Sequence, residues 1–405
     1  MSKGIGGKTA AEALATLRNM TEGLSPVPTS EYRERLSKAQ ALMQQQGIAA
    51  LYIDAGSNLN YFTGVVWYPS ERMVGAILPA VGDLHYIVPA FEEGTFRGMM
   101  LVDGPVHCWH EHEDPYRLLH HVLEGMGVVR SRLAVDEATP FFRLDGMSQA
   151  LHGMQLVNGK SVSNACRSRK SATELALMQR ANDMTLHVQR AAASILREGI
   201  STQEVKTFID QAHQAVGASG SDFCIVLFGA DTAFPHGVKY PKKLEVGEMV
   251  LIDTGCNLYG YRSDITRTYV FGEANARQRE VWGHEQTAQR VAYEAAQLGT
   301  PCGAVDDAMR AWVTAAGYGP AYALPGVPHR TGHGIGLDIH ESPNLVGNDP
   351  TPLAPGMCFS VEPMICVPGE FGIRHEDHIY MTEQGPRWFT QPALSIDDPF
   401  GNMAA

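Results

Sequence analysis

Apolar residues recur at helical spacing from Ser30 to about Gly47, where Leu36, Ala39, Leu42 and Met43 share a face and Ser30-Glu31 opens the first turn. Short apolar runs follow at 49–53, 74–78 and 85–88, with helical stretches between and after them, so this half of the chain is predicted to be an α/β domain. A polar, basic stretch, NGKSVSNACRSRK (158–170), breaks the pattern and reads as an inter-domain connection. Beyond it a long helix is predicted from Ser171 to about Leu196, carrying Leu175, Leu177, Met178, Ala181, Met184 and Val188. A second helix is predicted from Ser201 to about Ala215, where Ser201 and Glu204 have the spacing of a capping box. After Ile225 the pattern becomes strand-rich and punctuated by Gly and Pro, with one helical interlude from Arg277 to about Gly317. The first 25 residues are expected to be weakly ordered, and their GIGGK follows no strand and lacks the spacing of a phosphate loop.

Length and composition narrow the classes. A chain of 405 residues accommodates two domains of ordinary size, and 44% hydrophobic with 19% charged residues is the balance of a soluble globular protein. Lys plus Arg total 32 against 44 Asp plus Glu, a net charge of −12, which argues against a nucleic-acid partner and is compatible with carboxylates gathered around cations. Seven cysteines without a C-x-x-C pair read as thiols in a reducing compartment. With no secretory h-region and no run near ~20 apolar residues, no membrane contact is expected and the predicted location is cytoplasmic.

The chemistry concentrates in MVLIDTGCNLYGYRSDITRTYVF (249–271). Read as a hairpin turning at Leu258-Tyr259, it places Asp253 opposite Asp264, with Cβ atoms ~4.5–5.5 Å apart. Two ionised carboxylates there repel unless they share a proton or hold a cation. Proton sharing in the manner of an aspartic protease needs a second Asp-Thr/Ser-Gly, and the other candidate, Asp54-Ala55-Gly56, lacks the hydroxyl residue. A cation needs further ligands downstream. RTGHGIGLDIHE (330–341) offers His333 and His340, FSVEPMI (359–365) places Glu362 after an apolar strand, and GIRHEDHIYM (372–381) puts Arg374 and Glu376 on one strand face with Asp377 on the other. Asp253, Asp264, His333, Glu362 and Glu376 make four carboxylates and one imidazole, a set that balances two divalent cations and suits Mn²⁺, Co²⁺ or Zn²⁺.

IDTGCNLYGYRSDITRT, GHGIGLDIHE, VEP and GIRHED resemble the motifs of the pita-bread metallopeptidases, the group of methionine aminopeptidase, aminopeptidase P and prolidase, over about residues 170–390. The leading 165 residues, with SNLNYFTGV (57–65), resemble the creatinase/prolidase N-terminal domain. The fold expected from the resemblance is α+β: a smaller α/β creatinase-type domain over 1–165 and a pita-bread catalytic domain over 166–405. The resemblance implies that Asp264 and Glu376 bridge two metals, that Asp253 holds one, and that His333 with Glu362 holds the other. It also implies a metal-bridging hydroxide, Glu362 as proton shuttle, and His236 and His340 around the substrate and its oxyanion. Arg374 would pair with a ligand carboxylate or with substrate. The short interval between Glu362 and Glu376 resembles prolidase, which implies hydrolysis before proline in Xaa-Pro dipeptides, with Mn²⁺ as first choice of metal. Relatives with this N-terminal domain are commonly homodimers.

Two positions depart from the family pattern. Cys366 stands where a tyrosine is usual, and Asn344 where prolidases tend to carry an arginine for the substrate carboxylate, which leaves Arg72 or Arg330 for that task or implies a preferred substrate longer than a dipeptide. Cys366 itself reads as a small buried hydrophobe. CWHEHED (108–114) reads as a solvated loop and His120-His121 as ordinary helix residues. Alternatives retained are aminopeptidase P activity on longer peptides, a creatinase-like or other non-peptidase enzyme of the same fold, and a non-catalytic pita-bread domain that binds protein partners.

Overall fold

The structure is a computed structural model that describes residues 3–401; residues 1–2 of the leading stretch and 402–405 of the predicted catalytic domain lie outside that description. It divides into two compact units, one of residues 27–167 and one in which residues 3–26 join 168–401.

In the smaller unit β1 (Ala50–Asp54), β2 (Gly75–Pro79), β3 (His85–Pro89), β4 (Val106–Trp109), β5 (Arg132–Val135) and β6 (Gln155–Asn158) form a sheet in the order β4-β3-β2-β1-β5-β6. β1 is central, antiparallel to β2 and parallel to β5, and its ALYID is buried throughout, as an apolar run between two neighbours must be. The helix Pro115–Gly125 covers one face, packing Leu119 and Val122 with Ile77, Ile87 and Leu133. The boundary between units follows Arg167, inside the basic stretch read as a connection, and Lys160–Arg167 of that stretch is a helix that buries Val162, Ser163 and Cys166. One expectation changes here. Cys108 and Trp109 of CWHEHED belong to strand β4, where Trp109 is buried and its indole N–H donates to the Met73 carbonyl, so only the remainder of that motif is a surface turn.

The larger unit contains β7 (Phe223–Phe228), β8 (Met249–Gly255), the short ladder β9 (Asn257–Leu258) with β10 (Tyr261–Arg262), and β11 (Ile265–Val270). It continues with β12 (Gly332–Gly334), β13 (Glu341–Leu345), β14 (Cys358–Val361), β15 (Met364–Val367), β16 (Phe371–Arg374), β17 (Asp377–Thr382) and β18 (Gly385–Trp388). One sheet runs β11-β8-β7 and another β13-β12-β14-β17-β18. The helices Ala172–Ser194 and Thr202–Ala215 pack on the first, joining Met184, Val188, Ile209, Ile252 and Ile265 in one core. The predicted helical interlude is two helices, Ala276–Ala295 and Cys302–Ala315, which pack with Phe359, Val361 and Ile379 of the second sheet. The predicted capping box of Ser201 with Glu204 forms, and Ser171 with Glu174 makes a second one that the sequence reading did not include.

The N-terminal residues are ordered, contrary to expectation, and belong with the larger unit rather than with the N-terminal domain. Ala10–Ala15 is a helix capped by Thr9 and Glu12, Ile5 and Ala13 enter the core, and Gly6 N–H donates to the Ala193 carbonyl at 2.9 Å. The apolar side chains are too few to make an amphipathic stripe visible in sequence; the order comes from a surface supplied 180 residues later.

Candidate metal centre

The site is built at strand ends. The hairpin turn lies at Tyr259-Gly260, with φ of 51° and 94°, and Leu258 pairs with Tyr261. Two successive positive φ values are the type I′ geometry that matches strand twist, and glycine accepts the second position without a Cβ penalty. Asp253 therefore opposes Thr266, not Asp264 as the sequence predicts. The turn sits one residue further along, which moves the register by two and leaves every side chain on its face. Asp253 and Asp264 become diagonal neighbours, and the two carboxyls still interact. Gly255 has a separate reason to be glycine: a Cβ there would meet the Ser263 carbonyl oxygen at 1.8 Å. The glycine of the Asp-Thr-Gly triplet is thus a requirement of close strand approach.

Glu362 follows β14, and Glu376 lies in the break between β16 and β17, which the uninterrupted alternation predicted for GIRHEDHIYM did not include. The break has a cause distant in sequence: Glu376 N–H donates to the Thr266 carbonyl at 3.1 Å, stitching the segment to β11. Asp377 points away from Glu376 and forms a buried ion pair with Arg267 at 2.7 Å. Asp253, Asp264, His333, Glu362, Glu376 and Arg374 line one cavity of about 630 Å³, with His236, His329, Arg330 and His340 also on its wall.

His333 Nε2 lies 3.2 Å from Glu362 Oε1 and 3.9 Å from both Asp264 Oδ2 and Glu376 Oε1. Its Nδ1 is 3.0 Å from the Gly334 carbonyl oxygen. A carbonyl can only accept, so Nδ1 carries a proton and Nε2 is the nitrogen aimed at the carboxylates, the usual orientation of a ligating imidazole. Atoms of Asp264, His333 and Glu376 able to ligate lie within 4.8 Å of one another.

The electrostatics ask for more positive charge than the side chains supply. Burial, and then the negative charges of Glu376, Asp253 and Glu362, push the Asp264 carboxyl well above the usual range; burial, then Glu362 and Asp253, do the same to Glu376. Asp253 Oδ1, Asp264 Oδ1 and Glu376 Oε1 are buried without a hydrogen-bond partner. Buried carboxylate oxygens with no donor are costly unless a cation occupies the space between them. Oxygen-rich donors with one imidazole fit hard to borderline divalent cations.

Arg374 is engaged on several sides: with Asp253, with Thr266 Oγ1 at 3.1 Å and with the Pro235 carbonyl at 3.2 Å. Thr266 Oγ1 donates in turn to Glu376 Oε2 at 2.7 Å, so one guanidinium orients two carboxylates, directly and through a hydroxyl. His236 and His340 stand on the rim of the cavity, and the partly covered His340 ring packs against His333 at 4.3 Å. Burial, then the neighbouring His333 and Arg330, depress His340 to about 4, so near neutral pH it is an uncharged imidazole.

Residues 176–383 match metallopeptidase family M24, and residues 35–169 match the creatinase/prolidase N-terminal domain. The chain belongs to metallopeptidase family M24. It is similar to the putative dipeptidase YkvY of Bacillus subtilis (strain 168), 31% identical over 88% of this chain and 97% of that one. The Xaa-Pro dipeptidase of Lactobacillus delbrueckii subsp. lactis is 30% identical, over 89% and 98%. The crystal structure of dipeptidase PepE from Mycobacterium ulcerans superposes with a TM-score of 0.84 at 33% identity, covering 91% of this chain and 97% of that one. The α+β architecture is that of this family, a creatinase-type N-terminal domain followed by the M24 domain.

Three neighbours of the cluster are given no role by the sequence motifs. Thr266 and Ser360 are hydroxyl residues inside strands; Ser360 Oγ donates to Glu362 Oε1 at 3.0 Å and accepts from His333 N–H at 2.9 Å. His329, four residues before His333, has Nε2 buried and unpartnered beside the cavity. Only His329 carried a sequence signal, as the extra histidine of PHRTGHG. Cys366 is buried in β15 against Leu227, Leu251 and Met364, and burial pushes its thiol up to about 12, the behaviour of a core side chain. No helix among the described residues is long and apolar enough to cross a membrane.

Proposed function

We propose that this M24 chain is a dipeptidase that hydrolyses the peptide bond preceding proline, most readily in Xaa-Pro dipeptides, with two divalent cations, Mn²⁺ by preference over Co²⁺ or Zn²⁺. Asp264 and Glu376 would be shared between the cations, Asp253 would hold one, and His333 with Glu362 the other. The observation that carries the reading is the convergence of four carboxylates on one imidazole in a single cavity, with buried oxygens lacking any donor. Relatives bearing the names dipeptidase and Xaa-Pro dipeptidase at about 30% identity support the substrate class.

When bound, the cations supply Lewis acidity and lower the pKa of a water toward neutrality. Glu362, held by Ser360, takes the proton of the attacking water and passes it to the leaving nitrogen. His236 and neutral His340 donate N–H groups to the oxyanion that develops on the scissile carbonyl. Arg374 is a positioning residue, since its donors are spent on Asp253, Thr266 and Pro235. In this proposal the enzyme works as a homodimer on small peptides with proline in the second position.

The substrate carboxylate needs a cation. Asn344, across the ladder from His333, cannot supply one. Arg72 is already paired with Glu71 at 2.6 Å and Glu111 at 3.1 Å. Arg330 lines the cavity and its guanidinium makes no hydrogen bond or ion pair among the described residues. Arg330→Ala is therefore expected to lower kcat/KM for Ala-Pro about 100-fold, mainly through KM, the loss of a charge-assisted pair of ~2–3 kcal/mol. The test compares Ala-Pro with Ala-Pro-Phe in Mn²⁺ for wild type and variant. Strong tripeptide cleavage with little dipeptide turnover in the wild type overturns the dipeptidase reading in favour of aminopeptidase P. An unchanged KM for Ala-Pro in the variant removes Arg330 from the account.

A further inference from the structure

A second group of metal-capable side chains lies in the smaller unit. In the parallel pair β3–β4, Ile87 is the register partner of His107, and His85 precedes Ile87 by two positions, so all three share one face. That face is covered by Pro115–Gly125, whose Leu119 and Val122 bury Ile87 and whose His121 stands beside Val122. Beyond the apolar part of the face, Asp83, His85, His107 and His121 line a cavity of about 450 Å³.

His85 Nδ1 lies 2.9 Å from His107 Nε2, with ring planes 4° apart. Only one proton fits between two nitrogens at that distance, so at least one of them presents a lone pair. Burial depresses both imidazoles below their usual range, which keeps them in the form that binds metals. Two imidazole nitrogens on a tetrahedral zinc ion, with bonds of ~2.0–2.1 Å, stand about 3.3 Å apart, so a small rotation of the rings opens the pair to that spacing. Asp83 makes no hydrogen bond or ion pair among the described residues, and the nearest charged partner of the largely exposed His121 is Glu124 at 3.9 Å. Both are surface side chains on the wall of the same cavity as the histidine pair.

We propose that His85 and His107, completed by His121 and Asp83, bind a borderline transition-metal ion such as zinc, nickel or copper. Three imidazoles and one carboxylate select these ions over Mn²⁺, whose preference is for oxygen. The site is separate in chemistry from the carboxylate cluster: one is nitrogen-rich, the other oxygen-rich. Holding β3 to the edge strand β4 and to the covering helix, the ion would staple three elements of the smaller unit.

The test uses the full chain, saturated with Mn²⁺ and then titrated with Zn²⁺, comparing wild type with His85→Ala/His107→Ala. The wild type is expected to take up one zinc ion per chain more than the double variant, whose residual affinity at this site falls at least about 100-fold because two ligands themselves are lost. Mn²⁺-dependent peptide hydrolysis is expected to be equal in the two. With Cu²⁺, the electron paramagnetic resonance spectrum of the wild type should carry coupling from imidazole nitrogens that the double variant loses. Since the paired histidines help fill the face, the surface variants Asp83→Asn and His121→Asn provide a second arm, each expected to weaken zinc about tenfold with the fold intact. Equal zinc stoichiometry in wild type and double variant, or zinc affinity unmoved by both surface changes, overturns the proposal.

Discussion

Glu376→Gln is expected to reduce kcat/KM on Ala-Pro at least about a thousandfold. The substitution keeps shape and volume, so Thr266 retains an acceptor and the stitch between Glu376 N–H and the Thr266 carbonyl is untouched. What disappears is one of four charges that would balance the cations. A bound cation contributes several kcal/mol of charge stabilisation to the transition state, and ~4 kcal/mol is about a thousandfold in rate. Steady-state kinetics at saturating Mn²⁺, with circular dichroism to verify the fold, checks this; a variant within tenfold of wild type removes Glu376 from the site.

The second large effect concerns stability. Asp377→Ala is expected to cost about 3–5 kcal/mol, because it strands Arg267 as a buried, uncompensated charge. Both side chains are fully buried. Arg267 also donates to the Glu376 carbonyl at 3.1 Å, while Thr390 Oγ1 and Gln289 Nε2 donate to Asp377, so the pair is the centre of a network directly behind the cluster. At roughly 2–4 °C per kcal/mol for a body of this size, the melting transition of the larger unit should fall by about 10 °C or more. The comparison is made at fixed Mn²⁺, since ligand binding shifts the transition. A transition within about 2 °C of wild type contradicts the assignment.

Much of this was legible in the sequence because strands and turns announce themselves locally. Apolar runs ending in Asp253 and Glu362, and the glycines beside His333, mark strand ends, and the structure draws all five candidate ligands into one cavity. The hairpin register was read two residues off, since a midpoint rule cannot see that Tyr259 tolerates a positive φ ahead of Gly260. Parity protected the chemistry: an error of two keeps Asp253 and Asp264 on the same face, where an error of one would have separated them. What stayed hidden depends on distant partners. The order of residues 3–26 rests on the helix Ala172–Ser194, the helix at Lys160–Arg167 on a buried stripe of only three residues, and the interruption at Glu376 on β11. Arg374 carried two readings in sequence, and only its partners distinguish them: it holds Asp253.

The central claim is that the carboxylate–imidazole cluster binds two divalent cations on which hydrolysis depends. Calorimetric titration of metal-free wild type and of the Asp264→Asn/Glu376→Gln variant with Mn²⁺ tests it most directly. The account predicts two Mn²⁺ ions per wild-type chain, recovery of Ala-Pro hydrolysis as they bind, and neither in the variant. Equal Mn²⁺ uptake by the two proteins, or full hydrolysis by the metal-free wild type, would contradict it.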